Sequence, residues 1–342
     1  MARFHLAGSA PSPQKIMRTQ AITGVFLSLA AGIIFSADGL LIKQTEVYAP
    51  FNLPAAALLA GLICAGMHDF SAAVVTTIIN YRSGLLPEIW RSLRSKPGRA
   101  VIGGALFGSI LGMGGYIAAL RLAGPAYVLP ITTLYPAVAS ILAVRILKER
   151  IRPLAWVGLA LCIVGAIVVG WNPPAAQTGD LFYLGLGCAA LAAVGWGTEG
   201  VLATYGMDFI EPPAALNIYY LVSFVLYLVI LIPTACLVLP ADQAGLALLT
   251  EFATSKGLGF IALAGGLGAF AYRCWYISMT LTGVSRAMAL NITYALWGIL
   301  LSALFTDVEI TRTLVMGAVT IFAGMFLVIG NPKDMFTLRQ GD

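Results

Sequence analysis

Apolar stretches, each about as long as an α-helix needs to be to cross a bilayer, follow one another from residue 21 to residue 330. A span takes about 20 mostly apolar residues. On that rule we count ten, at about 21–42, 51–72, 101–120, 125–145, 153–171, 180–203, 213–238, 257–279, 285–304 and 312–330. Only 10% of the 342 residues are charged, against 59% hydrophobic, too few polar groups to coat a water-facing surface. The expected fold class is an all-α integral membrane protein of ten transmembrane helices, and soluble enzymes and nucleic-acid-binding domains are excluded. Ten spans of roughly 22 residues use about 220 residues, which leaves no segment for a separate soluble domain. Function must lie inside the bundle.

The net charge of +5 has a topological explanation, because Lys and Arg collect on cytoplasmic loops. With the N-terminus inside, Arg3, Lys15, Arg18, Arg82, Arg91, Arg94, Lys96, Arg99, Arg145, Lys148, Arg150, Arg152, Arg286, Lys333 and Arg339 are inside, and only Lys43, Arg121, Lys256 and Arg312 are outside. A bias of about 15 to 4 predicts both termini in the cytoplasm. The first apolar run is too long for a signal-peptide core and is interrupted by Asp38, so it is expected to be a retained helix. The second span either ends near Asp69 at the inner surface or runs on and buries His68 and Asp69. The basic stretch from Tyr81 to Arg99 favours the first alternative. Within it Ile89, Trp90 and Leu93 stand among arginines, as in a short helix lying on the inner leaflet. The cysteines, Cys64, Cys162, Cys188, Cys236 and Cys274, lie in apolar segments without paired spacing and are expected to be core residues. No cluster has metal-ligand spacing, and no cofactor is expected.

The chain also repeats itself. A shift of 159 residues places Gly124 on Gly283, Tyr135 on Tyr294, Gly158 on Gly317, Gly165 on Gly324, and Asn172-Pro173 on Asn331-Pro332. A shift of 161 places Phe35, Asp38 and Gly39 on Trp196, Glu199 and Gly200. Two repeats of five spans follow, residues 1–172 and 173–342. Five is odd, so the second copy is inverted, an arrangement of secondary transporters whose site lies near the membrane midplane between the repeats.

Tyr116-Ile-Ala-Ala-Leu120, Gly124-Pro-Ala, Tyr135-Pro136, Lys148-Glu149-Arg150 and Trp156-Val-Gly158 together resemble the closing part of the repeat in the EamA type of the drug/metabolite transporter superfamily. Phe35 to Lys43 resembles that family's first helix. The second half departs from the pattern: Ala295 stands where Pro136 would recur, and Val308-Glu309 replaces the glutamate expected after the ninth span. The resemblance implies a ten-helix carrier with both termini inside, often a metabolite exporter, with a central cavity between its halves.

Charges inside a span mark a pathway by default. Asp38 and Glu199 are repeat equivalents, each with an aromatic residue three positions earlier, Phe35 and Trp196, on the same helix face. Each acid is a candidate proton-coupling group or cation anchor, and the competing reading is a protonated acid hydrogen-bonded between helices. Arg273 either pairs with one of these acids, binds a substrate carboxylate, or snorkels to the cytoplasmic side. Tyr135, Tyr294, Asn291 and its equivalent Thr132 form a candidate lining, beside further aromatics Tyr127, Tyr272, Trp275, Tyr276 and Trp297. Glycines 104, 108 and 112, and those from 257 to 268, suit close helix packing, and Pro130 and Pro136 suit a bend.

The expected function is secondary transport by alternating access of an organic cation or amine, or of a zwitterionic amino acid, with proton-coupled export as one form. A non-transporting scaffold or receptor is the alternative. An enzyme is not expected, since no nucleophile-base pair or metal cluster is visible, nor is ATP as the driver, without a P-loop. The expected partners are a small-molecule solute, protons, the lipid bilayer of a bacterial inner membrane and a second copy in a homodimer, with no nucleic acid.

Overall fold

The computed structural model describes residues 12–53, 56–123, 128, 131–132, 134–169, 180–238, 245–294, 297, 300–301, 304 and 312–329. Within these, the elements are α1 (Pro13–Gln44), α2 (Ala57–Arg82), α3 (Leu86–Leu93), α4 (Lys96–Leu106), a π-helical segment π1 (Phe107–Gly114), α5 (Gly115–Ala123), α6 (Tyr135–Ile146), α7 (Pro153–Val169), α8 (Asp180–Met207), α9 (Pro212–Leu226), π2 (Tyr227–Leu231), α10 (Ile232–Val238), α11 (Gly245–Thr254), α12 (Gly257–Thr282), α13 (Val284–Asn291) and α14 (Arg312–Ile329). Among the described residues six helices are long and apolar enough to cross a membrane, and three shorter apolar ones, within α6, α7 and α14, accompany them. The expected ninth span enters as α13 and is described only in part. Gly124, Pro125, Tyr127, Pro130, Ala295, Asn172-Pro173, Val308-Glu309 and Asn331-Pro332, with the boundary between the halves, lie outside the described residues.

Helix starts follow local chemistry. Ser12 caps α1, its hydroxyl accepting from the Lys15 N–H at 3.3 Å, with Pro13 at the first helical position. Ser95 does the same for α4, accepting from the Gly98 N–H at 3.0 Å. The short helix α3 forms as expected, with Ile89 buried and Trp90 exposed. Its Glu88 carboxylate accepts the Glu211 N–H at 2.9 Å, next to the start of α9. From the Lys148-Glu149-Arg150 motif, Glu149 caps α13: its Oε1 accepts the Val284 N–H at 2.9 Å and its Oε2 lies 3.4 Å from the Ser285 hydroxyl. Gly283 precedes that helix with φ of +88° and leaves room for the carboxylate, which a Cβ would approach to 3.0 Å.

The packing maps onto itself when the halves are exchanged. Helix α1 packs along α12, and its repeat equivalent α8 packs along α4, π1 and α5; α7 packs on α14, α2 on α9 and α6 on α13. The contact of α7 with α14 shows the symmetry most directly. A methyl on Gly158 would stand 2.6 Å from the Gly324 carbonyl oxygen, and one on Gly165 would stand 2.8 Å from that of Gly317. These four glycines are repeat equivalents meeting crosswise, so the two helices are antiparallel and related by a twofold axis across them. Backbones this close suit a membrane, where helices associate through van der Waals packing of small residues rather than through the hydrophobic effect.

Antiparallel neighbours also sort the charges. Gly24 near the start of α1 meets Leu281 and Thr282 at the end of α12, and Gly206 meets Pro97 at the start of α4. Lys15, Arg18, Arg82, Arg91, Arg94, Lys96, Arg99, Arg145, Lys148, Arg150, Arg152 and Arg286 therefore gather at one end of the bundle. Lys43, Lys256 and Arg312 stand at the other. All five cysteines are free.

Candidate functional site

Helix α2 does not stop at Asp69. It runs unbroken from Ala57 to Arg82, so the alternative favoured by the basic stretch is overturned: His68 and Asp69 lie inside the bundle, with side chains 12% and 13% exposed. The physical reason is length. The chain needs residues 57 to 82 to reach the basic end, and about 20 residues at 1.5 Å each are required for the crossing.

His68 joins the first acid. Its Nδ1 is 2.9 Å from Asp69 Oδ1, and its Nε2 is 3.4 Å from Asp38 Oδ2, within ion-pair distance but not aligned for a hydrogen bond. The Ser223 hydroxyl donates to Asp69 Oδ2, and Ser109 Oγ lies 2.6 Å from Ser223 Oγ. Gly268 of α12 makes room for the imidazole, which a Cβ there would overlap. Toward the basic end the polar seam between α2 and α9 continues: the Asn217 amide donates to Thr76 at 2.9 Å and Thr77 at 2.8 Å, and the Asn80 amide donates to the Pro213 carbonyl at 2.9 Å.

The second acid is built differently. Glu199 is buried, and its Oε1 accepts the Tyr276 hydroxyl at 3.2 Å. Among the described residues its Oε2 is buried without a hydrogen-bond partner, and it lies over Gly108 of π1, where a Cβ would come within 3.1 Å. One turn on, the Trp196 indole lies over Gly112, in contact with Tyr116 and Tyr135 at ring distances of 5.5 and 6.4 Å. The π-helical turn thus carries the two glycines that admit an acid and an indole, in keeping with the frequent placement of such segments at functional sites.

Between the two acids lies an aromatic cluster. Phe35 meets Tyr272 edge-on at 5.1 Å, Tyr272 stacks on Tyr219 at 5.7 Å, and Tyr272 also meets Trp275 at 5.4 Å and Tyr276 at 6.1 Å. Tyr220 adds a ring 5.5 Å from Tyr272 and donates its hydroxyl to the Gly268 carbonyl at 3.3 Å. Depth is central: His68, Gly108 and Gly268 stand eleven or twelve residues from the starts of α2, α4 and α12. At 1.5 Å per residue that is about 17 Å into a hydrocarbon core of roughly 30 Å.

The structure thus brings Asp38, Phe35 and Glu199 to one central region, with Trp196 and Tyr135 on its flank. Tyr135 stands beside Asn291 and Tyr294, so these residues neighbour the Trp196 side. Thr132 is buried. Arg273 is not with them. It shares a face of α12 with Gly266 and Phe270, which is 49% exposed, and among the described residues no Lys or Arg pairs with Asp38, Asp69 or Glu199. Pairing of Arg273 with either acid is therefore excluded in this structure. Sequence reasoning missed Tyr219, Tyr220 and Ser223; the signal was present as polar and hydroxylic residues, Asn217, Tyr219, Tyr220 and Ser223, at helical spacing in an otherwise apolar span.

A helical membrane bundle of two similar halves with buried acids at its centre defines the class of small-molecule transporters. A family model described as the EamA-like transporter family matches residues 22–171 and again residues 183–330, and the chain belongs to that family, within the drug/metabolite transporter superfamily. It is also similar to Protein LicB of Haemophilus influenzae, 28% identical over 233 residues, 66% of this chain and 73% of that one. A solved crystal structure of 19% identity matches with a TM-score of 0.67, covering 89% of this chain and 94% of that one, a likeness of fold.

Proposed function

We propose that the protein is a secondary transporter, not an enzyme, that carries a small organic cation or amine by alternating access between its two five-helix halves. The observation that carries this reading is the buried acids at mid-depth around an aromatic cluster, with no Lys or Arg partner among the described residues. A desolvated cation over aromatic faces gains about 2 kcal/mol or more, and a neighbouring carboxylate adds charge complementarity. The place of Arg273 on the outer face of α12 favours a simple cation over a zwitterion, since among the described residues no Lys or Arg stands at the centre to pair with a substrate carboxylate. Ten spans, both termini cytoplasmic and a bacterial inner membrane complete the reading. The basic end is then the inner one, and the arrangement suits proton-coupled export.

Counterflow of labelled tetramethylammonium into proteoliposomes tests the substrate class, with unlabelled amines, amino acids and simple anions as competitors. Competition by amines supports the reading; uptake of anions alone, untouched by amines, overturns it. Orientation is tested with Arg94→Cys and Lys256→Cys in a background lacking the five native cysteines. An impermeant thiol reagent on intact cells should label the residue at 256 and spare that at 94.

A further inference from the structure

His68 is buried between two carboxylates on two helices, Asp38 of α1 and Asp69 of α2. Among the described residues, the other groups packed around it carry no positive charge. Helix α12 offers the bare backbone of Gly265 and Gly268, the latter with its carbonyl already taken by Tyr220 of α9. Helix α9 offers Ser223, which hydrogen-bonds Asp69 and touches Ser109 of π1, and α8 offers Glu199, whose charge acts on the same region.

The charge arithmetic of this cluster is severe. With His68 protonated and both aspartates ionised, the three groups together carry a single negative charge. Once the imidazole loses its proton they carry two, facing each other across a neutral ring in a medium of low dielectric. Like charges that close disfavour joint ionisation, and a buried charge without a partner is costly. A different positive charge entering as the proton leaves restores the balance. The rings able to hold one are at hand: Phe35 stands one turn before Asp38 on the same helix and meets Tyr272 and Trp275 at 5.1 and 6.5 Å.

Building on the cation reading above, we propose that His68 is the proton carrier of the transport cycle, and that its proton and the organic cation exclude one another at this centre. The protein then exchanges the two across the membrane. A cation arriving among the rings releases the His68 proton to the side then open, and rebinding of a proton from the opposite side expels the cation there. Asp38 and Asp69 lie on separate helices, so the shared imidazole also ties α1 to α2 when protonated and loosens that tie when neutral. The second half has no counterpart: the shifts of 159 and 161 place Tyr227 and Val229 at the position of His68, and among the described residues Glu199 is held by the Tyr276 hydroxyl alone.

The chain contains two histidines, His5 and His68, so a His5→Asn variant with ¹⁵N-labelled histidine, in nanodiscs, reports on His68 alone. The imidazole signals should pass from the protonated to the neutral form as the pH is raised. Saturation with tetramethylammonium at fixed pH should convert the protonated form to the neutral one. Calorimetry in two buffers of different ionisation heat should show about one proton released per cation bound. In His68→Gln the cation should still bind, with no proton release. Cation binding that leaves the His68 signals unchanged, or proton release that survives in His68→Gln, overturns the inference while leaving the cation reading intact. The first of these needs no change at His68 and so does not depend on how that variant folds. Failure of the unmodified protein to bind the cation, with His68 still titrating, overturns the cation reading and the proposed exchange with it.

Discussion

The two halves place an acid at the same helical position and surround it in opposite ways. In the first, Asp38 faces an imidazole and, through it, a second carboxylate and two serine hydroxyls. In the second, Glu199 faces one tyrosine hydroxyl and otherwise apolar rings, with one oxygen unpartnered. The scaffolds are alike in one respect: a glycine on the packed neighbour gives room to a polar side chain, Gly268 to the His68 imidazole beside Asp38 and Gly108 to Glu199 itself. Symmetry therefore fixes where the charges sit, and the departure from symmetry decides what each can do. One acid belongs to a group able to take up and release a proton, and the other is a single buried charge suited to holding a cation.

If that division is right, Glu199→Gln should weaken tetramethylammonium binding by about 100-fold, roughly 2.7 kcal/mol, while Asp38→Asn costs less than about tenfold because Asp69 remains beside His68. Calorimetric titration of the two variants in parallel measures this, and equal losses would break the comparison. The supporting glycines come next. Gly112→Ala places a methyl 2.6 Å from the Trp196 indole, and Gly268→Ala places one in overlap with His68 Nε2. Each should cost about 1–3 kcal/mol of stability through overpacking. Gly266→Ala, with nothing within 4 Å of the added carbon, serves as the control, all three compared by thermal unfolding in nanodiscs.

Smaller effects sharpen the same contrast. Tyr276→Phe removes the hydroxyl held by Glu199 and, at about 1 kcal/mol for one hydrogen bond, should lower cation affinity roughly fivefold without altering proton release. Arg273→Gln should change tetramethylammonium counterflow by less than about twofold, since outward-facing charges in a membrane helix reach the interface rather than the centre. A large loss there would bring Arg273 back to the site.

Much of the candidate site was legible in the sequence. Asp38 and Glu199 stand out because charge inside an apolar span is costly, and the repeat register pairs them without any coordinates. The glycines of the α7 and α14 contact were visible as matched positions, though the register alone does not say that Gly158 meets Gly324 rather than Gly317. His68 and Asp69 were misjudged because a basic segment follows them so closely. Hydropathy counts residues and does not see that α2 continues to Arg82 before turning into α3. Arg273 lay among aromatics in the sequence, yet successive residues on a helix point about 100° apart, so Tyr272 and Trp275 face the centre while Arg273 does not.

By itself the sequence determined the medium, the helical class, the doubled architecture and the acids worth examining, because those follow from hydropathy, from the length of a bilayer crossing and from internal periodicity. Tertiary structure alone decided the company each acid keeps. His68 reaches Asp38 across 30 residues of chain, Ser223 reaches Asp69 across 154, and Tyr276 reaches Glu199 across 77. Such pairings arise from which helix faces meet and from how closely their glycines let them approach, and no local pattern along the chain records them.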